Sequence, residues 1–258
     1  MLYIIFSCSS HNDQNIRPSS EKILENITFI YEGVDIITDY TRDNDNNLLQ
    51  TTTYQYGGYI TNSSFTYENG LPDKYFPTSN QPFSLYYQVI YDSNNVSQIY
   101  GINPSTNEII SKQVFTYTNE KLTEIIYLNF SQASNTFEVT NTLEFIYENN
   151  LVSKIICPEI NTYVVFEYDN KINPFINYNN LDLTYLIYTT TENAWSNLNT
   201  YNNIIQQSTY ELDSDTFISK KLWTYEYDEC DFPVSATYTI YRTNSQEGPF
   251  NLQFNYNQ

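Results

Sequence analysis

Thirty Asp and Glu, one His, three Cys and two Trp are the residues with which this 258-residue chain could do chemistry. Two carboxylates flanking a glycosidic bond can hydrolyse it without any histidine, at roughly 5–5.5 Å for retention or 6.5–9.5 Å for inversion. Among thirty acids some pair falls at such a spacing by abundance alone, so number points to no site. His11 is the only histidine. It falls in a polar N-terminal stretch, which removes Ser–His and Cys–His catalysis and the usual histidine zinc sites. Ser153 and Lys154 are neighbours in a strand-like run, where adjacent side chains point to opposite faces, so they form no dyad. The six glycines form no phosphate-binding loop. The reading is a non-catalytic chain with no cofactor and no metal. A glycan-cleaving carboxylate pair is the enzymatic alternative.

Two weaker patterns have bland readings. Asp43, Asp45 and Asn47 alternate as in a calcium loop, but the positions that should hold Gly and Glu are Leu48 and Tyr54. A solvated hairpin loop accounts for them better, and the same holds for Asp213 and Asp215. Trp195 and Trp223 are the only tryptophans. Exposed on a curved sheet they would stack on sugar rings; in a core they would be cross-strand partners.

The net charge of −19 comes from 30 acids against 11 bases. A phosphate backbone needs Lys and Arg to displace its counterions, so no nucleic-acid partner is expected. Aromatic residues make up 17% of the chain, 27 of them Tyr, which speaks against disorder despite the acidity. Tyr suits half-buried sheets, because its ring packs while its hydroxyl stays wet.

From Glu21 onward the pattern has period two nearly everywhere, as in ITFIYEGVDIIT (27–38), TTTYQYGGYITNSSFTY (51–67) and SLYYQVIYD (84–92). Only 19–27, SSEKILENI, reads as a helical turn or else as the lead into the first strand. One phrase recurs: FTYENGLPDKY from Phe65, VIYDSNNVSQI from Val89, FTYTNEKLTEI from Phe115 and FIYENNLVSKI from Phe145. Repeat centres fall at Tyr31, Tyr67, Tyr91, Tyr117, Tyr147, Tyr168 and Tyr227, the spacing of an array of supersecondary units. The phrase ends one strand on an aromatic, turns on acid–Asn, and enters the next strand on an aliphatic. It predicts Tyr67, Tyr91, Tyr117 and Tyr147 at equivalent places, the acids in solvent, short turns at one end and longer loops at the other. The segment FNLQFNYNQ (250–258) is expected to supply the final strand.

These repeats resemble the Tyr–Asp hairpin repeats of Bacteroidetes lipoproteins and, more remotely, the YD repeats of Rhs-type proteins. The resemblance implies an all-β fold: an antiparallel meander of hairpins forming a curved single-layer sheet or open half-barrel over residues 27–258. Ile5-Phe6-Ser7-Cys8 likewise resembles the lipobox of bacterial lipoproteins. It implies that residues 1–8 are the end of a signal, that Cys8 carries the lipid, and that residues 9–26 are a flexible tether. The expected location is the cell envelope, as an outer-membrane lipoprotein. Its partners would be the membrane through the anchor, and a glycan or another envelope protein, with binding or scaffolding as the role. With Cys8 acylated, Cys157 and Cys230 remain as two separate thiols or as one disulfide.

Overall fold

The computed structural model describes residues 23–31, 33–44, 47–55, 59–77, 85–93, 95–174 and 202–256. They form sixteen antiparallel strands. The first eight are β1 (Leu24–Tyr31), β2 (Val34–Arg42), β3 (Leu48–Gln55), β4 (Tyr59–Glu68), β5 (Leu71–Pro77), β6 (Tyr86–Asp92), β7 (Asn95–Ile102) and β8 (Ile109–Thr118). The second eight are β9 (Lys121–Ser131), β10 (Thr136–Glu148), β11 (Leu151–Cys157), β12 (Thr162–Ile172), β13 (Asn202–Glu211), β14 (Phe217–Tyr227), β15 (Pro233–Arg242) and β16 (Ser245–Tyr256). A 3-10 turn, Pro158–Ile160, joins β11 to β12.

Each strand pairs with its neighbours in sequence, and β1 pairs with β16, so the meander closes into a barrel. Ile27 meets Phe254 and Phe29 meets Leu252 across the seam. The expected half-barrel is therefore corrected to a closed one. An open sheet of this length would leave two unpaired edges, and the alternating FNLQFNY segment is long enough to satisfy both at once.

The recurrent phrase builds one repeating joint. Asn69-Gly70, Asn119-Glu120 and Asn149-Asn150 all have positive φ at both positions, the two-residue turn whose twist matches a hairpin. Asn and Gly supply that conformation at least cost. Directly after the turn the register slips by one residue: Phe145 faces Ile155 and Ile146 faces Lys154, but Tyr147 faces Val152. The same β-bulge recurs at Asp73, Ser97 and Thr123. At three of these the extra residue's hydroxyl bonds back across the hairpin: Ser97 to the Ile90 carbonyl at 3.1 Å, Thr123 to Thr116 at 3.1 Å and Ser153 to Ile146 at 3.3 Å. The bulge lets Val152 and Ile155, three apart, face the same way, and both are buried.

Three expectations change at the ends of strands. β1 begins at Leu24, so the described part of the proposed helical turn is strand and the barrel starts before residue 27. Even-numbered strands end where the Tyr–Asn turns lie. The long connection 173–201, between β12 and β13, therefore leaves from the same end as those turns, not from the opposite one. Two acids are also drawn out of solvent. Asp169 accepts bonds from the Lys171 and Asn203 amides at 2.9 and 3.1 Å and from the Tyr227 hydroxyl. Asp228 accepts from the Cys230 and Phe232 amides at 2.8 and 3.1 Å. Glu68, Asp92 and Glu148 are exposed as the phrase predicts.

Candidate functional site

The inner wall of the barrel changes character along its axis. At the hairpin end the phrase tyrosines line it in one tier. Their hydroxyls donate to backbone carbonyls of the preceding hairpin: Tyr67 to Leu48 at 2.7 Å, Tyr91 to Pro72 at 3.0 Å, Tyr147 to Leu122 at 2.9 Å and Tyr168 to Val152 at 2.7 Å. Tyr225 and Tyr256 do the same to Ile204 and Pro233 at 3.1 and 2.8 Å. Two residues further in stand Phe65, Val89, Phe115, Phe145, Phe166 and Phe254, all buried, with Ile99, Ile125 and Ile155 beside them at 0% exposure. A water-filled channel through this tier would wet the side chains lining it. These are dry, so they form an apolar floor.

Burial sets the chemistry of the floor. Desolvation raises the Tyr67 hydroxyl to about 12, and Tyr91, Tyr147, Tyr168, Tyr225 and Tyr256 are raised by the same cause. A phenol held neutral while donating to a carbonyl is a staple, not a proton donor for catalysis.

Toward the other end the inward positions become polar and wet. Ser63, Ser111, Asn141, Thr162 and Ser219 stand there, with Thr61 and Asn129 exposed although they face the axis. Thr38 and Thr53 share a hydroxyl hydrogen bond at 3.0 Å. Between floor and mouth lie two buried amides, Gln113 at 6% exposure and Gln207 at 3%. Neither Oε1 has a hydrogen-bond partner.

The outer wall is mixed, with Tyr54, Ile60, Phe76, Val139, Ile146 and Phe217 exposed on it among polar and charged residues. Lys112, Glu124, Glu144, Lys154, Glu167, Lys220 and Glu226 stand on the faces opposite the buried ones, with Thr28, Gln50, Thr52, Asn62, Thr224, Thr237, Asn251 and Gln253. Lysines cap outward rings: Lys154 Nζ lies 3.7 Å from the Tyr163 ring centre and Lys112 Nζ 4.1 Å from that of Phe137. Such contacts let an aromatic sit on a wet surface.

The residues singled out by sequence distribute as follows. Cys8 and Trp195 lie outside the described residues. Trp223 faces the axis at the edge of the core, 6.0 Å from the Tyr238 ring. Cys157 is a buried free thiol, so a bridge to Cys230 is not formed. Burial first, and Glu159 second, push that thiol up to about 12. Ser153 and Lys154 are engaged elsewhere, as bulge hydroxyl and ring cap. The calcium-like spacing closes a loop: the Asn47 amide and side chain both donate to the Asp43 carboxylate at 2.9 Å. Asp215 accepts the Tyr163 hydroxyl at 2.8 Å. Among the described residues no three His, Cys, Asp or Glu gather where they could hold a metal ion. The floor and its orphaned amides were missed by sequence reading. The signal for the floor was there, as the three-residue spacing in NVSQI, KLTEI and LVSKI.

No protein-family model matches the chain, and no curated protein does. Among solved structures the chain is similar to a porin-like protein from Bacteroides uniformis, with TM-score 0.58 and 11% identity, over 91% of this chain and 96% of that one. A porin-like protein from Bacteroides vulgatus aligns over 92% and 99% at 13% identity, with TM-score 0.42. At such identities the first likeness shows the fold, a closed β-barrel.

Proposed function

We propose that this chain is a non-catalytic protein of the bacterial cell envelope, tethered to a membrane through lipid on Cys8, whose barrel stands in water as a blind binding cup. One observation carries the reading: Lys112, Lys154 and Lys220 stand among the outward side chains of the strands, while the inward tier at the hairpin end is apolar and dry. A barrel that spans lipid has the reverse, an apolar outer band about 25 Å tall over a polar interior. Each lysine on a lipid-facing wall costs about 2–4 kcal/mol at the bilayer midplane, and Lys112, Lys154 and Lys220 all sit within strands. The dry floor likewise disfavours a diffusion pore. What remains is an open polar mouth over an aromatic base, a shape suited to holding a ligand or a partner segment. Residues 9–22 would then act as the tether.

The test has two arms. The Cys8→Ala variant, purified without detergent, should be monodisperse, and added to planar bilayers it should give no conductance steps. A requirement for detergent, or discrete channel openings, would overturn the cup. Metabolic labelling with a fatty-acid probe should mark the parent chain, expressed behind a full signal sequence, and spare Cys8→Ala. Equal labelling of both, or of neither, would remove the anchor.

A further inference from the structure

One sector of the lumen keeps aromatic rings partly open above the floor. Trp223 on β14, Tyr238 on β15 and Phe250 on β16 are successive register partners on the inward face. Phe29 on β1 faces inward opposite Leu252. Ring centres lie 6.0 Å apart for Trp223–Tyr238, 4.8 Å for Tyr238–Phe250 and 6.0 Å for Phe29–Phe250. Trp223 packs against the core, while the other three stand beyond it, and all four retain partial exposure.

Beside this platform is an acceptor without a donor. Gln207 on β13 is register partner of Lys221, two residues from Trp223 on the same face of β14. Diagonal neighbours of this kind lie about 7–8 Å apart and are within reach of long or aromatic side chains. The Gln207 Oε1 atom is buried, faces the lumen and accepts no hydrogen bond. A buried carbonyl of this sort is expensive to leave unmet, so a donor from a bound molecule would relieve it.

Ring faces in a row and a lone acceptor suit a molecule with flat C–H faces and O–H groups at its rim. Lys221, the register partner of Gln207, is the charged residue beside this acceptor. We infer that this sector is a binding site for a saccharide, its ring stacked on Trp223 and Tyr238 and one hydroxyl donating to Gln207 Oε1. The inference rests on the reading of the lumen as an open binding cup.

The test uses the Trp195→Phe protein, in which Trp223 is the sole tryptophan reporter. It is titrated with cellohexaose, maltohexaose and chitohexaose. At least one should shift the emission saturably. Gln207→Met, which keeps the volume and removes the acceptor, should weaken that binding about tenfold, the worth of one hydrogen bond to a buried group. Tyr238→Ala should weaken it at least as much. If none of the three sugars moves Trp223 emission in a folded, soluble barrel, or if Gln207→Met binds as tightly as its parent, the site is overturned while the cup stands. If the same samples need detergent to stay in solution, the cup itself fails and the site falls with it.

Discussion

The Tyr147 hydroxyl donates to the Leu122 carbonyl at 2.9 Å, joining the end of β10 to the start of β9. Those strands are connected covalently only at the mouth. At the floor end the sheet ladder and this bond hold one hairpin to the next, with Lys121 donating to the Asn150 side chain at 2.9 Å beside them. The bond recurs at Tyr67, Tyr91, Tyr168, Tyr225 and Tyr256, so the repeat is a set of staples around the base of the barrel.

Removing one staple should be measurable and local. Tyr147→Phe keeps the ring and deletes the donor, leaving a partly buried carbonyl unmet, at an expected cost of about 1–2 kcal/mol. In a domain of this size that is a fall in Tm of roughly 2–8 °C. Tyr147→Ala also removes the ring and should cost about 3–5 kcal/mol. Thermal unfolding of the two variants checks the ratio; a Tyr147→Phe protein as stable as its parent would mean the hydroxyl contributes nothing.

The same tyrosines set an alkaline limit. Their folded pKa values lie above the ordinary 10.0, with burial as the first cause. Below pH 10 both folded and unfolded phenols are neutral, so the contribution is fully present. Above pH 10 the unfolded chain loses protons first, and stability falls as pH rises toward the folded values. Tyrosinate absorbance should therefore rise in two steps, exposed rings near pH 10 and the floor tyrosines together with loss of circular dichroism at higher pH. A single step near pH 10 with the fold intact would contradict the buried tier.

The bulge makes a sharper claim. Ser153→Ala removes only a long hydrogen bond of 3.3 Å and should cost no more than about 1 kcal/mol. Deleting Ser153 brings Val152 and Ile155 two apart, so strict alternation still turns both to the core and the bulge is lost without exposing either. Denaturant unfolding should therefore show both variants losing no more than about 1–2 kcal/mol. A deletion that unfolds the barrel would mean that the bulge itself, beyond the facing of these two side chains, is required at the joint.

Much of this was legible in the residues. Period two, the Asn-rich turns and the equivalent tyrosines announce an antiparallel meander, because each is a local rule of strand and turn chemistry. Closure was not legible. It depends on Ile27 meeting Phe254, a pairing of the two ends that no local pattern encodes. The bulge was written in the spacing Val152-x-x-Ile155 but was overlooked, since one irregular step inside an alternating run reads as noise. Trp223 could be singled out as a stacking residue, yet its partner Gln207 could not. Their proximity comes from the β13–β14 register, reached only after the long connection 173–201.

Accessibility of thiols tests the division between mouth and floor directly. Native Cys157 is buried at 2% exposure, and its pKa is pushed up to about 12, first by desolvation. At neutral pH it is both shielded and almost wholly protonated, and the thiol form is a poor nucleophile. A membrane-impermeant maleimide should leave it unmodified in the folded barrel and label it in denaturant. In a Cys157→Ala background, Asn129→Cys at the wet mouth should react within minutes, while Val89→Cys in the floor should stay protected until the barrel unfolds. Mass spectrometry of the labelled chain reads all three positions. Rapid labelling at residue 89 in the native protein would mean that water reaches the base of the lumen, and the blind cup would have to be redrawn as a channel.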